Sequence, residues 1–174
     1  MNLKRTILRI LDTLLRTAAV AGFVFGFAWL LVLWAAHRTE VDQTGNIQLL
    51  AKDATTHGPE IRFNTNYGEP NIGWWDRQDQ SLSWKIGQVQ AGRYQASLRY
   101  SRPGTAPAGL EFTFGPARLA AETPGTGGWD KWRTIKLGTI DLPAAPSQTA
   151  TLKCFDLPSD GVINFVELTL SPVD

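Results

Sequence analysis

Two hydrophobic patterns divide the chain. Residues 17–36, TAAVAGFVFGFAWLLVLWAA, form one unbroken apolar run without a charged side chain. From Gly45 onward, apolar and polar residues alternate in short stretches broken by Gly, Pro, Asn and Asp. The first pattern fits a membrane helix: at ~1.5 Å per residue, about 20 residues cover the roughly 30 Å hydrocarbon core of a bilayer. The second has the period of half-buried strands. It predicts strands over 47–51, 61–64, 81–86, 93–100, 110–114, 118–122, 132–140, 149–155 and 162–170. Tyr94, Ala96, Leu98 and Tyr100 share one face. So do Leu110, Phe112 and Phe114; Ala150, Leu152 and Cys154; and Val162, Asn164, Val166, Leu168 and Leu170. No helical period occurs outside the apolar run and the leader before it. The expected architecture is all-β, a two-layered sandwich behind one N-terminal transmembrane helix.

Charge orients that helix. Lys4, Arg5, Arg9 and Arg16 precede the run and only Asp12 opposes them. Basic flanks stay cytoplasmic, so the N-terminus is expected inside and the C-terminal part in the periplasm or another extracytoplasmic space. A cleaved signal peptide fits less well. The run is longer than an h-region, no A-x-A site follows it, and Trp29 and Trp34 lie where a headgroup layer favours amphipathic rings. The expected divisions are a basic leader over 1–16, a span over 17–36, a tether over 37–46 and a sandwich over 47–174. The leader places Leu3, Ile7, Ile10, Leu11, Leu14 and Leu15 at amphipathic-helix spacing. Within the span, Ala18, Gly22 and Gly26 recur every four residues, a small-residue face that lets a partner helix approach closely. Ten tether residues reach about 33–36 Å when extended, which keeps the sandwich near the membrane surface.

The outer part, about 135 residues, is enough for one core. A net charge of +1 supplies no field that would attract nucleic acid. Cys154 is the single cysteine and sits in an alternating strand, where it reads as a small core residue. His37 and His57 are the only histidines and lack partners at metal-ligand spacing. No phosphate-binding glycine loop, nucleophile elbow or zinc-protease motif occurs. An enzyme is not expected. Trp84 and Trp132 lie in alternating strands and read as core. Trp74 and Trp75 are adjacent, so extended backbone would bury one and expose the other. Asp76, Asp79 and Asp130 read as turn formers.

Three stretches carry a resemblance. They are Asn71-Ile72-Gly73-Trp74-Trp75-Asp76 running into Ser81-Leu82-Ser83-Trp84-Lys85-Ile86, then Gly92-Arg93-Tyr94-Gln95-Ala96-Ser97-Leu98-Arg99-Tyr100, then Thr126-Gly127-Gly128-Trp129-Asp130-Lys131-Trp132. With the closing strand Gly161-Val162-Ile163-Asn164-Phe165-Val166-Glu167-Leu168, residues 46–171 resemble the family 6/35 carbohydrate-binding modules, which are galactose-binding-like jelly-roll sandwiches. The resemblance implies a glycan cleft on loops at one end of the sandwich. Its ring platforms would be Trp74 and Trp129, with Trp75 as the adjacent candidate, and its amide would be Asn164. A sugar's C–H face stacks on a flat ring, and an amide both donates to and accepts from hydroxyls. Some relatives hold structural calcium. No oxygen set for it stands out here, so no cofactor is expected and calcium stays open.

Two functions follow. The first is a non-catalytic accessory subunit, its span packed on other transmembrane subunits and its sandwich docked on a membrane protein complex. The short tether and the small-residue face favour it. The second is a membrane-tethered module that binds envelope or environmental glycans through exposed tryptophans. The resemblance favours that one.

Overall fold

The computed structural model describes residue 39 and residues 41–173. The expected leader, the span and the Ala18-Gly22-Gly26 face lie outside the described residues. Among the described residues no helix is long and apolar enough to cross a membrane.

Eleven strands are described: β1 (Ile47–Leu50), β2 (Thr55–His57), β3 (Arg62–Asn64), β4 (Asn71–Gly73), β5 (Ser81–Ile86), β6 (Gly92–Arg102), β7 (Ala108–Phe114), β8 (Ala117–Thr123), β9 (Gly128–Leu142), β10 (Gln148–Asp156) and β11 (Asn164–Pro172). One sheet runs β3-β4-β11-β6-β9, with β1 also paired to β11; the other runs β2-β5-β10-β7-β8. All of these strand pairings are antiparallel. The result is an all-β jelly-roll sandwich. Its core lies between the sheets, where Leu82, Trp84 and Ile86 of β5 and Ala150 and Leu152 of β10 meet Ala96, Leu98 and Tyr100 of β6 and Phe165 of β11. Trp84 links the layers. Its ring centroid lies 5.4 Å from that of Phe165, and its Nε1 donates to the Leu50 carbonyl at 2.9 Å.

All nine expected strands form, with ends moved by a few residues. β2 and β4 were not foreseen, and residues 51–53 turn as a short 3-10 helix rather than extending β1. The expected tether also shortens: Thr39 bridges Ile86 and Val41 bridges Ile47, so these residues belong to the sandwich. Cys154 is buried, and burial raises its thiol pKa to about 11. Trp84 is core, but Trp132 is not. Arg133 pairs with core-facing Tyr100, so Trp132 falls in the opposite phase, half-exposed on the outer side of the sheet.

One irregularity decides the site. β11 carries a bulge between Phe165 and Glu167 against Tyr100 and Arg99 of β6. The extra residue shifts the alternation, so Phe165 and Leu168 both face the core. Asn164, which the unbroken period grouped with Val166 and Leu168, instead pairs with Ser101 on the outer face.

Candidate functional site

At one pole of the sandwich the ends of β6 and β11 and the start of β9 converge, since Asn164 pairs with Ser101 and Arg102 with Gly128. The opposite pole holds Tyr94, Pro172 and the entry of the chain at Thr39 beside Ile86. The length of β6 separates the two poles, roughly 30 Å at ~3.3 Å per residue. At the first pole lies a cleft of about 380 Å³ lined by Tyr67, Trp74, Trp75, Asp76, Trp129, Ser159, Asp160, Gly161 and Asn164. Its size suits a small ligand.

The Trp74–Trp75 pair is divided into one buried and one exposed ring, but past the end of β4 and through a left-handed turn, not through extended backbone. Trp75 is 2% exposed and belongs to the core; Trp74 is 38% exposed. Trp74 leaves β4 at φ +55°, a left-handed conformation that a bulky residue rarely adopts and that stores about 1–3 kcal/mol. Gln80 holds this turn from inside. Its buried amide oxygen accepts from the backbone N–H of Asp76 at 2.8 Å and of Arg77 at 3.0 Å. Its Nε2 donates to the carbonyls of Pro59 and Trp74. On the ring of Trp74 lies the Arg62 guanidinium, 3.9 Å from the centroid, a cation–π contact that steadies the platform.

Trp129 is the second residue of β9 rather than part of a free loop. Its carbonyl accepts from Ser101 Oγ at 2.6 Å and from Asn164 Nδ2 at 3.1 Å. The second bond orients the Asn164 amide, and its Oδ1 makes no hydrogen bond among the described residues. The amide thus keeps an acceptor without a protein partner on a residue that lines the cleft. Gly73 makes room for it, because a Cβ there would lie 2.7 Å from Asn164 Oδ1 and 3.2 Å from Asn64 Nδ2. Gly73→Ala is expected to displace this amide and cost about 1–3 kcal/mol by overpacking. A chemical-denaturation midpoint together with the NMR shift of the Asn164 side-chain amide protons checks it; an unmoved amide would show that the cleft tolerates the methyl.

Gly161, at φ +88°, closes the far wall; Val162 N–H donates to the Trp75 carbonyl at 2.8 Å, tying that wall to the Trp74 turn. Tyr67 comes from the turn between β3 and β4. The Arg99–Glu69 ion pair ties that turn to β6, and hydrogen bonding from Arg99 lowers the Glu69 pKa. Trp132 Nε1 adds a bond to the Tyr67 carbonyl at 3.1 Å. The four residues singled out from the sequence, Trp74, Trp75, Trp129 and Asn164, thus line one cleft, with Trp75 as its buried floor. Asp76 also lines it, whereas Asp79 pairs with Arg77 and Asp130 with Lys131 on the surface. Tyr67, Ser159 and Asp160 were not foreseen. Tyr67 had a signal, since an aromatic inside the turn Asn66-Tyr67-Gly68 has no strand phase to bury it. No three of His, Cys, Asp and Glu gather into a metal-holding group among the described residues.

No protein-family profile matches the chain, and no curated protein sequence matches it. Solved structures match the fold. A family 35 carbohydrate-binding module from Clostridium thermocellum superposes with a TM-score of 0.59 at 18% identity, covering 72% of this chain and 96% of its own. A family 6 module of Cellvibrio mixtus lichenase 5A, solved in complex with cellotriose, gives 0.58 at 23% identity over 73% and 97%. A mosquito-larvicidal toxin from Bacillus thuringiensis gives 0.63 at 12% identity over 79% of this chain but 25% of its own. These likenesses establish the fold, which is that of the carbohydrate-binding modules and is shared by a toxin domain.

Proposed function

We propose that this chain is a non-catalytic glycan-binding module, held at the outer face of the cytoplasmic membrane by residues 17–36 with its N-terminus inside. One observation carries the binding part. Trp74, Trp129 and Asn164 come from three separate stretches of sequence and meet in a single cleft. Two rings and an oriented amide are the chemistry of sugar recognition: stacking for the C–H face and a hydrogen bond for a hydroxyl. The Cellvibrio neighbour is solved in complex with cellotriose, which supports that choice of ligand class. The absence of charge in 17–36 and the basic leader support the anchor.

This ranks the two readings of the sequence in the reverse order. The accessory-subunit reading rests on Ala18, Gly22 and Gly26, outside the described residues, and on a tether that proves partly folded into the sandwich. The cleft speaks for the glycan. Titration calorimetry of the full-length chain in detergent, against neutral oligosaccharides and polysaccharides of envelope and plant origin, tests it. Saturable binding with Kd between about 1 µM and 1 mM is expected, or roughly −8 to −4 kcal/mol. No heat with any of them, together with migration in a discrete larger complex from gently solubilised membranes, would restore the accessory role.

A further inference from the structure

We propose that Asp160, fixed by the buried guanidinium of Arg102, contacts the ligand and selects neutral sugars over uronic acids. The inference rests on the glycan reading of the cleft and narrows its substrate class.

Arg102 ends β6 and is 0% exposed. Its Nη2 donates to Asp160 Oδ1 at 2.9 Å, and its Nη1 donates to the carbonyls of Thr123, at 3.3 Å, and Ala106. One side chain thereby ties together the β6–β7 loop, the end of β8 and the β10–β11 loop that forms the cleft wall. Its backbone joins the β8–β9 loop as well, exchanging bonds with Thr126. Its Nε is buried without a partner. Burying a guanidinium costs free energy that an apolar side chain of similar size would not, so packing alone does not account for it. What the guanidinium adds is a fixed position for one carboxylate. Asp160 is also hemmed from the other side, because its carboxylate packs where a Cβ on Gly104 would stand.

That carboxylate lines the cleft and its side chain is 35% exposed. Oδ1 is taken by Arg102. A carboxylate only accepts hydrogen bonds, so its remaining capacity suits sugar hydroxyls and offers no donor to a second carboxylate. Asp76 adds another acid to the lining, which contains no Lys, Arg or His. Of the cations just outside the lining, Arg102 is spent on Asp160 and two carbonyls and Arg77 on Asp79, which leaves Arg62, on the ring of Trp74, to argue the other way.

The test uses the full-length chain with EDTA present, titrated with cellotriose and β-1,3-galactotriose as neutral probes and a glucuronic acid-containing disaccharide as the acidic one. The wild type is expected to favour a neutral probe by at least about tenfold, or 1.4 kcal/mol. Raising the salt should narrow that preference by improving uronate binding, a readout that needs no variant and that a merely structural role would not produce. Asp160→Asn, which keeps the shape, is expected to weaken the neutral probe about fivefold and to reduce the preference below about threefold. Equal or tighter binding of the acidic probe overturns the proposal, and a uronate preference lost in Arg62→Ala would assign selectivity to that residue instead. Unchanged affinities in Asp160→Asn, with binding still lost in Trp129→Ala, overturn this inference alone. Absence of binding by every probe overturns it together with the glycan reading.

Discussion

Trp84→Ala is expected to bring the sandwich close to unfolding, at a cost of about 3–5 kcal/mol. Trp84 is 2% exposed and stands at the centre of the core. Three losses combine. The indole leaves a cavity between the sheets that the paired backbones of β5 and β10 cannot close. The tilted ring contact with Phe165 disappears, and with it the aromatic link from one layer to the other. The Leu50 carbonyl loses its donor at the end of β1. Against a total stability of about 5–15 kcal/mol this is a large fraction. Trp84→Phe separates the terms, because it keeps a ring against Phe165 and removes the hydrogen bond; about 1–2 kcal/mol is expected. Urea denaturation followed by far-UV circular dichroism checks both. A loss under about 1 kcal/mol for the alanine variant would mean that the two sheets do not depend on this ring.

The fold was legible wherever a strand was long and one-sided. In β6, β7 and β10 the buried residues follow the period of two read from the sequence. β2 was not, because Thr55, Thr56 and His57 form a three-residue edge with no apolar member to alternate. β4 was hidden for a different reason: all three of its residues are buried, so no alternation shows. The cleft was legible through its tryptophans, whose order along the chain carried the resemblance. Its amide was named on the resemblance although the regular period of the last strand pointed it inward. A single bulge resolved that conflict, and nothing in Phe165-Val166-Glu167 announces a bulge. Asp160 was invisible for a longer-range reason. It lies among turn residues, and its partner Arg102 is 58 positions away. No local pattern encodes such a pairing; only the return of β11 beside β6 brings the two together.

Trp129→Ala carries the largest expected effect on binding: a loss of about 30-fold or more in affinity for any neutral glycan that the wild type binds, or roughly 2 kcal/mol. The ring lines the cleft and packs at 3.5 Å from the Cβ position of Gly161, so its removal takes away a stacking surface and loosens the opposite wall. Stability should change much less. The contacts that tie Trp129 to β6 and β11 are made by its carbonyl, which accepts from Ser101 and Asn164 and survives any side-chain substitution. Trp129→Phe should restore part of the affinity, since a smaller ring still presents a flat face to a sugar. Calorimetry and denaturation midpoints measured on the same preparations separate the two effects. Affinity within twofold of wild type would place the ligand elsewhere on the sandwich. A collapse of stability together with affinity would make the ring a cap on the sheet and not a platform. Because the amide of Asn164 is oriented through the backbone of residue 129, the alanine variant removes the stacking surface while leaving the polar contact in place. The affinity that remains is then a direct measure of what the amide contributes alone.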